Sequence, residues 1–488
     1  MKVITIFKIV LMLCFIYSWI VFYYIGNSEF VDITTIFLLS VIFAVLFMFT
    51  RIKDTVVQPL FVILIYGTLF WFILRLMLMI AIPESIGRFP ATVAVRVDAI
   101  NNGLVYLILS TIMVAGGFIA SRQLISGYKV PKYQLQLPAF ITLGRVIILY
   151  VILGLIFTSG HLLLGSGRHW IMSFMTRLVN PEALLYIGFL VLLFGNKHAT
   201  RIEYKFVFVA LFMWYLFSVF FAGSRQGFIL VVLFYLIGVL LYRNNGYIKK
   251  KLIFLFGLMI VLAPIMFSLA TVGSSELRYG GIANINDKIS MIKNNKFAML
   301  DGLDRLSMRL AGLDTLAVIV NADEDNYNPR EYINFSNEVK SIANTYVLGE
   351  PFPDALITSK AFHVVYQGGV EDTARNKTFT QKWSGYGLMF VKFGWYGGLM
   401  ATFILAFLFS VIYRKIVISK GKYSDLLTAY LLYIFFVQIM SNGVDEFFLT
   451  EIHSLLFIGG VFNVLLLKFM YSVEVLLYRE RENRFHGT

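Results

Sequence analysis

One cysteine in 488 residues, Cys14, leaves no internal disulfide and no thiolate metal site to consider. Charge is scarce too: Asp, Glu, Lys and Arg make up 14% of the chain, against roughly a quarter in soluble domains, which excludes an ordinary soluble fold. The six histidines, His161, His169, His198, His363, His453 and His486, form no H-x-x-x-H or related pair, so a zinc hydrolase is not expected. Walker, Gly-x-Ser-x-Gly and dinucleotide fingerprints are missing as well. No metal and no cofactor are expected.

What the chain has instead is apolar sequence. Hydrophobic residues make up 59% of it, with 47 Phe and a mean hydropathy of +0.77. Continuous apolar runs of about 17 to 25 residues recur, the length a helix needs to cross roughly 30 Å of hydrocarbon. They lack the period-two alternation of a barrel strand, so the fold class is an all-α polytopic membrane protein. About twelve spans are predicted, at 3–25, 34–49, 60–82, 104–120, 140–157, 183–194, 206–221, 228–242, 252–272, 386–412, 426–439 and 455–470.

The first span has Lys2 and Lys8 before and within it and no small-residue cleavage site behind it, so it reads as a retained signal anchor. Cys14 lies inside it with a packing role. Arg51 and Lys53, Arg122, Lys129 and Lys132, Lys197 to Lys205, Arg243 to Lys251 and Arg414 to Lys422 all fall on one side of this arrangement. By the positive-inside rule that side is cytoplasmic, which puts both termini inside. The net charge of +14 reports topology and gives no reason to expect nucleic acid. The chain then divides into membrane helices over 1–273, a large outer loop over 274–384 between helices nine and ten, further membrane helices over 385–473 and a cytoplasmic tail over 474–488.

Ionisable groups in lipid are costly, so those within or beside spans are functional candidates. The apolar stretch from 206 to 241 is too long for one helix and is interrupted only by Gly223-Ser224-Arg225-Gln226-Gly227. Two helices must reverse there, which holds Arg225 at the mouth of the bundle, where its planar fork suits phosphate oxygens or merely anchors a helix end. Arg75 lies within its span and needs either an outward-opening cavity or a structural carboxylate partner. Arg145 reads as a cytoplasmic-side anchor. Lys392 sits near the start of the helix that leaves the large loop, placed to snorkel or to meet an anionic ligand. After helix five, His161, Arg168, His169 and Arg177 alternate with Trp170, Ile171, Met172 and Phe174, a pattern suited to an amphipathic segment on the outer leaflet.

The large loop carries its own organisation. From 285 to 320 apolar residues including Leu303, Leu306, Leu310, Leu313 and Leu316 recur at helical spacing, with Arg305 and Arg309 one turn apart, which a solvated helix face explains as well as catalysis does. Asp323, Glu324 and Asp325 form an acidic turn without a second ligand set, which is no basis for a calcium site. Beyond it, Glu350, Asp354, His363 and Glu371 lie in proline- and glycine-punctuated chain of the kind a carbohydrate cleft uses. Each can serve as a general base toward a hydroxyl, or as a turn cap.

The turn at 223–227, the long outer loop and its exit through Ser384-Gly385-Tyr386 to Phe393-Gly394-Trp395-Tyr396-Gly397-Gly398 resemble the bacterial O-antigen or capsule repeat-unit polymerases of the Wzy type, relatives of the O-antigen ligases. Those proteins show a Gly-Ser-Arg-Gly-like turn and a Phe-Gly-Trp-x-Gly-like helix start. Arg177 and Gly188, with ten residues between them, match a further family spacing, for which the large loop offers no counterpart. Gln226 stands where the family often has glycine.

The resemblance implies a fold related to the C-type membrane glycosyltransferases and a site on the outer face of the bacterial cytoplasmic membrane. The growing glycan would pass from undecaprenyl pyrophosphate to the non-reducing end of a new lipid-linked repeat unit, without metal or nucleotide sugar. Undecaprenyl-pyrophosphate-linked oligosaccharides and membrane lipids would be the partners, together with a chain-length regulator and a flippase.

Such chemistry needs fixed positive charge where the pyrophosphate leaves, for which Arg225 comes first, with Arg75, Arg278, Lys392 and Arg177 as further candidates. Glu350, Asp354, His363 and Glu371 are the candidate bases, and Trp383, Tyr386 and Trp395 can stack on sugar rings or form an interfacial belt. An O-antigen ligase would share the topology and the lipid donor. A flippase or secondary transporter is the reading from another class, for which two related halves with paired broken helices would be expected.

Overall fold

The computed structural model describes residues 2–27, 31–54, 56–81, 97–124, 312–321 and 384–419, with isolated positions elsewhere. The spans expected at 140–157, 183–194, 206–221, 228–242 and 252–272 lie outside the described residues, as does nearly all of those at 426–439 and 455–470. Within the described residues the elements are helices: α1 Val3–Ile25, α2 Ile33–Phe49, α3 Gln58–Gly67, a π-helical stretch Thr68–Ile73, α4 Leu74–Ala81, α5 Val97–Leu124, α6 Gly312–Val320 and α7 Gly385–Ser419. The stretch from Gln58 to Ile80, α1, α5 and α7 are each long and apolar enough to cross a membrane. They fall on spans expected from hydropathy, and the molecule is a helical membrane-embedded protein.

Between helices in lipid the packing force is close van der Waals contact rather than water expulsion, so small residues govern which faces meet. A Cβ on Gly103 would lie 3.0 Å from the Ala317 Cα, and one on Gly117 would lie 2.7 Å from the Phe403 carbonyl. These two glycines let α5 accept α6 on one stretch and α7 on another. Gly312 in turn backs onto the Trp71 carbonyl, to which a Cβ would come within 2.6 Å.

Two ends of the bundle are chemically distinct. At one, Asp32 caps α2: its Oδ1 accepts from the Thr35 N–H at 2.8 Å, and its own N–H donates to the Thr35 hydroxyl at 3.2 Å. Asn101 of α5 donates to the same Asp32 oxygen at 3.2 Å. Asn321, just past α6, accepts from Asn102 at 2.7 Å and donates to the Ala99 carbonyl at 3.1 Å. At the other end, Arg414 of α7 donates to Asp54 at 3.2 Å and to the Ser121 hydroxyl at 3.0 Å. Ser121 and Ser410 lie 2.8 Å apart there. Lys8 and Arg51 both sit over the Phe47 ring nearby, at 5.9 and 5.7 Å.

These pairings give the register. The run from α3 to α4 lies antiparallel to α5, with Phe61 on Phe118 at 5.5 Å between ring centres. In α6 the chain runs opposite to α5, from Gly312 beside Trp71 and Phe72 to Asn321 at the Asp32 end. Most of Gly312–Val320 is buried, with Leu316 and Ala317 wholly enclosed and Val318 and Val320 half-buried. The helical spacing expected over 285–320 is met at Gly312–Val320, while Arg305 and Arg309 lie outside the described residues. The apolar residues of that stretch mark a helix packed inside the bundle.

The largest departure from hydropathy is in α7. Gly394 has φ 71 and ψ −169, backbone that only glycine adopts readily, and it breaks the helix. A Cβ on Gly398 would lie 2.9 Å from the Met389 carbonyl, nine residues earlier, whereas in a straight helix the two sites are over 10 Å apart by the rise of about 1.5 Å per residue. The chain therefore folds back at Gly394. Phe390 of the first arm and Trp395 of the second both meet Tyr106 of α5, each at 5.2 Å. From there the first arm, 385–393, runs against α5, and the second, 395–419, runs along it to Ser410 and Arg414.

Candidate functional site

Arg75 sits in α4, immediately after the π-helical stretch, and is one of the largest fully buried side chains among the described residues. The extra residue per turn of a π-helix changes the face that later residues present. Its Nε bonds Asp314 of α6, 239 positions later in sequence. The two side chains are 1% and 3% exposed. Of the two readings open for Arg75, an accessible cation or one matched by a structural carboxylate, the geometry described here is the second. Asp314 is the group that sequence reasoning passed over. It was visible as the one acid in the apolar stretch Gly312–Val320, but that stretch lay in a segment already rich in carboxylates.

Below this pair, away from the Asp32 end, polar side chains gather inside the bundle. Thr68, Ser110, Thr111, Tyr106 and Tyr386 have buried hydroxyls that make no hydrogen bond within good geometry. The Tyr386 hydroxyl lies beside Thr111 and that of Tyr106 beside Ser110. The Tyr386 ring stacks in a tilted pair on Phe72 at 5.4 Å. As a sugar-stacking candidate Tyr386 is thus enclosed, 3% exposed, by its own bundle. Lys392 is half-buried on the first arm of α7, near the fold-back. Trp395, next to Gly394, packs its ring on Phe390 and Tyr106.

The first arm of α7 begins inside the protein. Ser384, at φ 60 and 1% exposed, caps it: its hydroxyl accepts from the Gly387 N–H at 3.1 Å, and its carbonyl accepts from Leu388 at 3.1 Å. Among the candidate residues, the structure brings Arg75 and Tyr386 to neighbouring levels of one bundle, through Phe72 and Gly312. Arg225, Arg278, Arg177, Trp383, Glu350, Asp354, His363 and Glu371 lie outside the described residues.

Electrostatically the two ends differ. At the Asp32 end, burial raises the carboxyl's proton affinity, but the Thr35 N–H, the Thr35 hydroxyl and Asn101 outweigh it and hold Asp32 below the ordinary carboxylate range. The Arg414 end carries Asp54 between two guanidinium groups, with Arg414 buried and Arg122 at 3.9 Å but 72% exposed. No protein-family model, curated protein or solved structure matches the chain.

Proposed function

We propose that the protein polymerises lipid-linked oligosaccharide repeat units for a bacterial O-antigen, capsule or exopolysaccharide, from the outer face of the cytoplasmic membrane. The observation that supports this reading best is the backbone at Gly394. The Phe393-Gly394-Trp395 element that resembles the polymerase signature is a helix break that requires glycine, and its neighbours Trp395 and Gly398 both pack on Tyr106. A short signature tied to a fold-back carries more weight than the same letters in an uninterrupted span.

In this reading the acceptor hydroxyl oxygen attacks the anomeric carbon of the lipid-linked chain. The bond from that carbon to the pyrophosphate oxygen breaks, the hydroxyl proton passes to a base among Glu350, Asp354, His363 and Glu371, and undecaprenyl pyrophosphate departs. Arg225 stabilises the charge that grows on the leaving oxygen, with Arg278, Arg177 and Lys392 as supporting cations. Arg75 has a different part: paired with Asp314, it fixes α6 against α4, so that this stretch of the large segment is held in the bundle. The Arg414 end, with Arg51, Lys53, Arg122 and Lys415 near it, is the cytoplasmic one by the positive-inside rule.

The test is Arg225→Ala in cells and in purified form. The variant reaches the membrane at normal abundance and leaves glycans one repeat long on the lipid carrier; long chains from it would remove Arg225 from the mechanism. Secondary transport is the second reading, favoured by one observation, a discontinuous helix beside a buried ion pair. Purified protein that moves solute across liposomes and fails to lengthen synthetic lipid-linked repeats would decide for it.

A further inference from the structure

The Arg414 end of the bundle gathers more cations than its acid can balance. Asp54 is the one carboxylate there among the described residues, and it already faces Arg414 and Arg122. Lys8 of α1 and Arg51, which follows α2, collect instead on the ring of Phe47, the amine 5.9 Å and the guanidinium carbon 5.7 Å from its centre. Neither has an ion-pair partner among the described residues. With its 23 residues α1 is about 34 Å long, against about 30 Å of hydrocarbon, so Lys8 in its second turn starts just below the headgroup boundary. Helical side chains lean toward the N-terminus, which here carries the amine up to the level of lipid phosphates. Arg51 is exposed and Lys8 half-buried, so the pair is open to that layer.

The negative end of the α2 dipole favours Arg51, but Lys8 lies toward the positive end of its own helix, where a cation gains nothing. A lysine that merely snorkelled to water would point away from a second cation. Two like charges drawn to one ring repel each other, and an anion shared between them removes that repulsion. Below Lys8, on the same face of α1, Met12, Phe15 and Trp19 are exposed and apolar, a track for an acyl chain beneath such an anion. We propose that Lys8, Phe47 and Arg51 form a binding site for the phosphate of an anionic membrane lipid, with its acyl chain along Met12, Phe15 and Trp19. The site does not depend on the polymerase reading.

The test uses the full-length protein in nanodiscs of phosphatidylcholine and phosphatidylglycerol in equal parts, with the lipids that stay bound on release counted by native mass spectrometry. Wild type keeps phosphatidylglycerol in preference to phosphatidylcholine, and Lys8→Gln with Arg51→Gln lowers that retention about 10-fold or more, two surface cations having been lost. Arg122→Gln with Lys415→Gln removes the same charge from exposed positions at the same end and leaves retention near the wild-type level. Inorganic phosphate does not displace the lipid, because it brings no acyl chain. Equal retention of the two lipids by wild type, an equal loss in both double variants, or displacement by inorganic phosphate overturns the proposal.

Discussion

Replacing Arg75 by Met tests the bundle where its energetics are most lopsided. Met keeps an unbranched apolar stem and removes the guanidinium, so packing changes little and the ion pair is lost. Asp314 is then a buried carboxylate without its counter-charge. With side-chain exposures of 1% and 3%, neither partner is screened by solvent. Removing one member of such a pair costs about 3 to 5 kcal/mol, whereas an exposed pair contributes about 0 to 1 kcal/mol. Arg122, 72% exposed and 3.9 Å from Asp54, is the internal control, so Arg122→Met is expected to cost less than about 1 kcal/mol.

The double variant Arg75→Met with Asp314→Leu removes both charges and recovers most of the loss, because two apolar side chains of similar volume replace a pair that was itself costly to desolvate. Denaturant titration of purified protein in detergent micelles, followed by tryptophan fluorescence, measures all four proteins under one condition. The reasoning fails if Arg75→Met is as mild as Arg122→Met, or if the double variant is no more stable than Arg75→Met alone.

Gly394→Ala places a Cβ where φ is 71 and ψ −169, in open space, so its cost of about 1 to 3 kcal/mol comes from the backbone alone; a thermal shift in nanodiscs reads the loss, and an unchanged Tm would mean that α7 is not folded back. Asp32→Ala deletes the α2 cap and the Asn101 contact, for a loss of about 1 to 2 kcal/mol, whereas Asp32→Asn keeps most of it. Because Asp32 is held below the usual carboxylate range when folded, its contribution is complete above the unfolded value of about 3.9 and fades as pH falls below it toward the folded one. An acid titration in which wild type and Asp32→Asn lose stability in parallel would remove Asp32 from that role.

Hydropathy located the helices well for a physical reason: lipid demands a continuous apolar run of fixed length, whatever the fold around it. α1 begins and ends where its run does, and α2, α5 and the stretch from Gln58 to Ala81 lie within a few residues of theirs at one end or both. The fold-back in α7 was hidden because its two arms are equally apolar. Phe390 and Trp395 read alike on either side of a break, and only the φ of Gly394 separates one span from two arms. Gly394, Gly397 and Gly398 were visible as letters, but a glycine run in a membrane helix serves close packing as readily as a turn.

Arg75 shows how the rest could have been read. A guanidinium in the middle of an apolar run must meet an acceptor inside the protein, so the sequence had to contain a carboxylate in equally apolar company. Acids in polar loops could not satisfy that demand, since water would already serve them. Asp314 meets it: between Gly312 and Val320 it is the sole charged residue, with Leu313, Leu316, Val318 and Ile319 around it. The same requirement explains why α6 is drawn into the bundle although the sequence around it is rich in charge. An α6 left in water would take Asp314 away from the buried guanidinium, and the close approaches at Gly103 and Gly312 give α6 the room to reach it. Burial of α6 and burial of the Arg75–Asp314 pair are therefore coupled, and a substitution at Gly103 that holds α6 away should weaken the same pair from a distance.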